Sequence, residues 1–381
     1  MELYGKNTNP TQLRQRIGHM SQVAGIRPMQ FDDGRARPSR AALVHTGSGL
    51  EFTVALDRGM DIAAAAYQGK AMGWRSTTGD VGPQYYEAEG IRWLRSYFGG
   101  LLTTCGLTNV GGPAPDSAVS GVGLHGRISN IPAEDVQIYQ GWEGNEYLLR
   151  VQGTMRESVL FGEKLTLTRA VTAVLGGTCF RIQDTVINEG FQTSPFMILY
   201  HCNIGFPALD EGSRIIAPSR QVAPHNDIAR AGIKEWDRID GPTPGLPEKV
   251  FYHDMEPARD GTVTAAVVNS RFAEGHGFGV YVRYNAEQLP RFTQWKMLGA
   301  QDYVVGLEPC NCGVEGRAVD ESHGLLHTLR PGESRTFDVE FGVITDEKQL
   351  REIQAKAGKK APKIVDHYLE FVSPKKGKKR S

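Results

Sequence analysis

Lys164-Leu-Thr-Leu-Thr-Arg169 and Phe180-Arg-Ile-Gln-Asp-Thr-Val-Ile187 alternate apolar and polar side chains over most of their length. That is the period of a strand with one face buried and the other wet. The same period recurs in Glu51-Phe-Thr-Val-Ala-Leu-Asp57, Tyr147-Leu-Leu-Arg-Val-Gln152, Phe278-Gly-Val-Tyr-Val-Arg-Tyr284 and Thr336-Phe-Asp-Val-Glu-Phe341. Gly, Pro, Asn or Asp bounds each run and supplies turn conformations, as in Asn188-Glu-Gly190 and Arg330-Pro-Gly-Glu333. Glycine makes up 45 of 381 residues, about 12% against a usual ~7%, and is scattered between the runs as many turns between many strands require. Little reads as helix. The clearest candidate is Asp346-Glu-Lys-Gln-Leu-Arg-Glu-Ile-Gln-Ala-Lys-Ala357. Asp346 can cap it, Gln349 stands at capping-box spacing, Gly358 can end it, and Leu350, Ile353 and Ala357 share one face. The expected fold is therefore all-β: one large antiparallel β-sandwich domain over residues 1–345, with 1–30 as an N-terminal extension packed on it. Residues 346–381 are expected to be that helix and the basic tail Ser373-Pro-Lys-Lys-Gly-Lys-Lys-Arg-Ser381, disordered and solvated.

Bulk composition excludes several classes of protein. With 43 basic and 43 acidic residues the chain carries no formal net charge, which argues against a dedicated nucleic-acid surface. Apolar residues at 40% and charged residues at 23% are ordinary for a globular protein. Five cysteines make no disulfide framework, and Cys310-Asn-Cys312 lacks the second pair that a structural zinc site needs. His323 and His327 stand four apart near Glu321, but Gly324 and the alternation that follows suit a strand leaving a turn better than a metal site. No cofactor or metal is expected. The N-terminal residues show no basic stretch followed by an apolar run, and no segment approaches eighteen continuous apolar residues. A cytoplasmic location is expected, with no membrane partner.

Three segments could carry chemistry. In Phe196-Met-Ile-Leu-Tyr-His-Cys-Asn203 both strand faces are largely apolar, so the run reads as a central strand with His201 where it ends. In Tyr303-Val-Val-Gly-Leu-Glu-Pro309, Gly306 and Glu308 share a face. Burial would raise the carboxyl pKa, the bare Gly306 leaves room for a ligand, and Pro309 would end the strand. In Gly121-Val-Gly-Leu-His-Gly-Arg127, glycines on both sides of His125 let backbone approach a small molecule, and Arg127 offers a planar fork. Pro290-Arg-Phe-Thr-Gln-Trp-Lys-Met297 adds Trp295 as a stacking platform with Gln294 and Lys296 as donors, and Asp57-Arg-Gly-Met-Asp-Ile62 adds Arg58. A sugar needs this mixture of apolar face and fixed polar partners. Each of these residues also has a structural reading: a hydrogen-bonded core histidine, a glutamate paired with arginine, a tryptophan in the core.

Together, Leu56-Asp-Arg-Gly-Met-Asp-Ile62, Phe98-Gly-Gly-Leu-Leu-Thr-Thr-Cys-Gly106, Leu124-His-Gly-Arg127, Tyr200-His-Cys-Asn-Ile-Gly-Phe-Pro207, Gln294-Trp-Lys-Met297 and Gly306-Leu-Glu-Pro309 resemble the galactose mutarotase-like superfamily. They resemble in particular a bacterial, aldose 1-epimerase-like branch, and the resemblance covers most of the chain. It implies a large antiparallel β supersandwich with few helices and a sugar bound in a concave cleft. It further implies Glu308 as the base at the anomeric hydroxyl, His201 as the acid at the ring oxygen, and His125 as a polarising group beside that oxygen. Substrate contacts are then expected from Arg58, Arg127, Asn203, Asp210, Gln294, Trp295 and Lys296. Two departures stand out. Arg127 occupies a position where well-studied members carry glycine, and the aspartate that holds sugar hydroxyls is not placed, with Asp210 and Asp254 as candidates. Arg58, Arg95 and Arg127 raise the expectation of an acidic sugar. The expected partner is a small-molecule sugar, with a homodimer left open. Another epimerisation on the same scaffold and a non-catalytic carbohydrate-binding protein remain as alternatives. Having His201 and Glu308 both at strand ends favours the enzyme.

Overall fold

The computed structural model describes residues 1–114, 121–275, 277–357 and 361–372. Within them the chain forms two large, mostly antiparallel sheets and few helices, as the alternating runs predict. The larger sheet runs, in spatial order, through Ser219–Pro224, Lys249–Met255, Arg291–Leu298, Tyr303–Cys310, Ser194–Ile204, Leu102–Leu107, Asp61–Tyr67, Leu50–Ala55, Arg40–His45 and Gly25–Gln30. The second runs through Glu134–Glu143, Glu146–Ser158, Lys164–Val174, Cys179–Asn188, Ser334–Ile344, Phe278–Asn285, Thr262–Asn269 and Arg214–Ile216. The longest described helix, Glu347–Ala357, falls where the capping pattern places it. Asp346 Oδ1 accepts from Gln349 N at 2.9 Å, and Gln349 Oε1 accepts from Thr345 N at 3.1 Å. Gly358 and the basic segment 373–381 lie outside the described residues.

The two sheets pack face to face over a continuous apolar core. Phe52 of the larger sheet stacks on Phe180 of the second at 4.2 Å between ring centroids, and Phe180 on Phe341 at 5.3 Å. Fully burying side chains of this kind stabilises the fold by roughly 1.5–3 kcal/mol each. The central strand Ser194–Ile204 sorts its side chains by parity. Phe196, Ile198, Tyr200, Cys202 and Ile204 enter this core, whereas Met197 and Leu199 pack on the other side against Trp93, Tyr97 and Cys310. His201 and Asn203 share the latter phase. Residues that cover this outer face come from the segment between Trp74 and Tyr97 and from the stretch around Leu124 and His125.

One ionic cluster interrupts the core. Arg169, wholly buried, donates to Asp184 at 2.8 and 2.6 Å, to Asp61 at 2.8 Å and to Thr104 Oγ1 at 2.9 Å. The Tyr200 hydroxyl donates to the same Asp184 at 2.7 Å. Burial works against the charge on Arg169, but Asp184 and Asp61 outweigh it and raise its pKa. Removing only the cation strands two buried carboxylates. Arg169→Met should therefore lower unfolding free energy by about 3–5 kcal/mol, read as a shift in the urea midpoint. A midpoint equal to wild type would show that the cluster adds nothing to stability.

Candidate active site

Register brings the two candidate groups together. Leu199 pairs with Cys310, Cys202 with Leu307 and Asn203 with Gly306, which sets His201 opposite Glu308. His201 Nε2 lies 3.2 Å from Glu308 Oε1, with both side chains buried. Neither residue ends its strand: Ser194–Ile204 runs three residues past His201, and Tyr303–Cys310 continues through Pro309, which pairs with Phe292. The expectation of strand ends is corrected here. The ladder instead skips its pairs at Tyr200 and His201, opposite a proline that has no N–H to give. Gly306 also has a different use from the one expected. A Cβ there would meet Glu308 Oε1 at 2.3 Å and Trp295 Cβ at 3.0 Å, so its bareness makes room for the neighbouring carboxylate rather than for a ligand.

The hydrogen bonds fix the imidazole tautomers. Asn203 Nδ2 donates to the His201 and Gly99 carbonyls at 3.0 and 3.4 Å, which turns its Oδ1 toward Tyr97 and His201. That oxygen accepts from the Tyr97 hydroxyl at 2.7 Å and from His201 Nδ1 at 2.6 Å. His201 therefore carries its proton on Nδ1 and turns the Nε2 lone pair to Glu308. His125, with φ of 58°, accepts a bond from Gly111 N on Nδ1 at 3.3 Å, which leaves Nε2–H as its donor. Its ring stands 5.7 Å from that of His201, at 87°, and 4.9 Å from that of Trp93. Burial lowers the His201 pKa to about 4 and that of His125 to about 3, the latter with help from His201. Burial, with Cys310 and Glu248 nearby, pushes the Glu308 carboxyl well above the usual range. Burial thus favours the uncharged form of both groups, a proton on Glu308 beside a neutral imidazole.

These groups line a cavity of about 670 Å³ together with Trp74, Trp93, Tyr97, Thr293 and Trp295. The family pattern that matches the chain spans residues 36–343 and is described as a domain of unknown function, DUF4432. The chain belongs to the DUF4432 family. No curated protein matches it. Among solved structures it is similar to a Klebsiella pneumoniae protein provisionally named an aldose 1-epimerase, with 27% identity, 90% of each chain covered and a TM-score of 0.84. It shares its fold with a galactose mutarotase-like protein of Clostridium acetobutylicum (11% identity, 85% of this chain and 99% of the other covered, TM-score 0.58). The same holds for a galactose 1-epimerase of Lactobacillus acidophilus (12% identity, 85% and 100% covered, TM-score 0.55). The DUF4432 chain thus has the galactose mutarotase-like fold expected from its sequence.

The other anticipated contacts of the DUF4432 chain scatter. Arg58 is buried against Phe98 and donates to the carbonyls of Ser129, Val81 and Ser96. Arg127 faces Glu163 at 3.6 Å, and Arg95 pairs with Glu87 at 2.9 Å. Gln294 and Lys296 alternate to the face opposite Trp295. Gln294 holds His253 at 3.0 Å and the Trp236 carbonyl at 2.8 Å, while Lys296 caps the carbonyls of Glu235 and Arg238. Asp210 shapes a turn by accepting from Glu211 N, and Asp254 pairs with Arg220 at 3.6 Å. None of these side chains lines the cavity, and Asn203 serves by orienting His201. The glycines around His125 admit backbone rather than ligand, since a Cβ at Gly126 would meet the Gly106 carbonyl at 2.2 Å. Ser76, Thr77, Thr78, His225, Glu248 and Asp302 do line the cavity and had no sequence signal beyond their polarity. Neither Arg nor Lys lines it among the described residues, so an acidic sugar would find carboxylates there and no cation. Imidazole ¹⁵N NMR should report neutral Nδ1–H for His201 and neutral Nε2–H for His125 at pH 6, above both lowered pKa values. Imidazolium shifts for either ring at that pH would refute the tautomer assignment.

Proposed function

We propose that this protein is a sugar 1-epimerase that interconverts the α and β anomers of an uncharged aldose. The observation that carries this reading is the pair His201–Glu308, one hydrogen-bond length apart in a cleft with an aromatic wall. The hydroxyl oxygen and the ring oxygen of a cyclic aldose are bonded to the same carbon. A donor and an acceptor side by side therefore match both oxygens at once, and opening the ring needs proton removal at one and delivery at the other.

Glu308 Oε1 has no hydrogen-bond partner among the described residues apart from the approach of His201 Nε2. A sugar hydroxyl that donates to it stabilises the carboxylate and moves the shared proton to His201 Nε2. Glu308 then takes the proton from the anomeric hydroxyl as the C1–O5 bond breaks, and His201 gives its proton to O5. The open-chain aldehyde rotates about C1–C2, and the reverse transfers close the ring on the other face. His125 Nε2–H supports the negative charge that develops on the ring oxygen. The Asn203–Tyr97 contact keeps His201 in the tautomer that this exchange needs. The similarity to the Klebsiella protein supports the same reading.

Magnetisation-exchange NMR between α and β resonances tests the assignment. Glu308→Gln and His201→Gln should each lose about 10²–10⁴ of the catalysed rate and keep the wild-type unfolding transition. Wild-type exchange in Glu308→Gln would remove the base from the mechanism. The pH dependence follows from the single shared proton. Activity should fall as pH drops through about 4, where His201 takes a second proton and no base remains. It should persist well above the ordinary glutamate range, because the pair loses its last proton only at the raised Glu308 pKa. An acid limb at ordinary histidine values would contradict the buried pair. Gly306→Ala should depress the rate as strongly as Glu308→Gln, because the new methyl displaces the carboxylate.

A further inference from the structure

The acid–base pair occupies only one end of the cleft. Asn203 pairs with Gly306, Gly306 with Trp295 and Trp295 with Val250, and His225 N donates to the Val250 carbonyl at 3.0 Å. The floor thus runs from Glu308 across three further strand spacings to His225, about 14 Å at ~4.8 Å per strand. The 670 Å³ cavity lies within the ~300–1,000 Å³ of pockets that take drug-sized ligands, of which a monosaccharide is a small member.

The far end has its own polar groups. His225 Nε2 lies 3.6 Å from Glu315 Oε1, and its buried Nδ1 has no hydrogen-bond partner among the described residues. Glu248 is held in the cleft by Trp295 Nε1 at 2.7 Å and keeps lone pairs for a further donor. Between the two ends stand Trp295 and Trp74, edge to face at 6.2 Å. The wall above carries Ile91 and Leu94, 62% and 49% exposed, two large apolar side chains left facing the cleft opening. An apolar platform with acceptors at its margin fits the C–H face and hydroxyl edge of a second ring.

We propose that the outer half of this cleft is a second-ring subsite, so that the substrate is the reducing end of an uncharged disaccharide or longer glycan. The catalytic half rests on the epimerase reading above, and the subsite deepens it. The reducing ring sits at His201 and Glu308, and the next ring lies over Trp295, reaching His225 and Glu248.

The test compares kcat/KM for anomer exchange between neutral reducing disaccharides of glucose and galactose in several linkages, the free monosaccharides, and 4-O- and 6-O-benzyl monosaccharides. Saturation-transfer contacts are recorded on the same samples. The expected result is a disaccharide at least tenfold better than its reducing-end monosaccharide, with saturation transfer to both rings. His225→Ala, and independently Leu94→Ser on the exposed wall, should lower the disaccharide value more than the monosaccharide value and bring the ratio toward one. Monosaccharides equal to or better than every disaccharide would overturn the subsite and leave the epimerase reading standing, as would a ratio untouched by both variants. A benzyl derivative better than every disaccharide would overturn it in favour of an apolar substituent. Without exchange of any sugar the epimerase reading fails, and the subsite is then decided by binding alone. Contacts to both rings, lost in His225→Ala, would uphold it, and contacts to one ring or none would overturn it.

Discussion

Arg169 ties the two sheets together and, through one neighbour, sets the position of the site. Its guanidinium leaves the second sheet, reaches Asp61 and Thr104 of the larger one, and shares Asp184 with the Tyr200 hydroxyl. Tyr200 and His201 are adjacent on one strand, so their side chains point to opposite faces. Whatever holds Tyr200 from the core side therefore holds His201 on the cleft side. An apolar core tolerates small slides between sheets, whereas a charge cluster with every partner at hydrogen-bond length does not. A contact of 3.2 Å between side chains from two strands needs that kind of fixed backing.

The fold was legible because its signal is repetitive. Six alternating runs, the scattered glycines and one capped helix each point to the same architecture, and an error in one leaves the others intact. Arg169 and Asp184 were not singled out, although their phase carries the signal. Each sits where its run calls for an apolar residue, after Leu165 and Leu167 in one case and after Phe180 and Ile182 in the other. Two opposite charges in core phase on neighbouring strands are a buried pair in waiting, and Arg169 pairs in register with Asp184.

The site was legible only in part, and the reasons are local. Strand parity admits Trp295 and excludes Gln294 and Lys296 from the same face, so grouping the three against one sugar conflicted with the period used to find the strand. Arginine beside glycine suggests an anion site equally when its fork is spent on carbonyls, as that of Arg58 is. No local pattern separates the two, because the partners at Val81, Ser96 and Ser129 are distant in sequence. The same holds for His225 and Glu248, whose place in the cleft follows from the order of strands in the sheet and not from their neighbours in the chain.

The polarity of the cleft then explains the form of the His201–Glu308 pair. A carboxylate and an imidazolium in a wall of Trp74, Trp93, Tyr97 and Trp295 would each lose hydration that the protein does not replace. The neutral arrangement, proton on Glu308 and lone pair on His201 Nε2, avoids that cost, and Asn203 selects the tautomer that permits it. Under the proposed function a sugar would supply what the wall withholds, because its hydroxyls are the donors that an ionised Glu308 lacks. Ionisation of the pair would thereby be coupled to occupancy. An anionic substrate would work against this coupling by adding a further uncompensated negative charge to a lining that already holds Glu308, Glu248 and Asp302. Under the proposed function, the bare Gly306, the oriented Asn203 and a lining without Arg or Lys among the described residues are consistent with one another: each would serve a pair that becomes charged only when an uncharged, hydroxyl-rich ring lies against it.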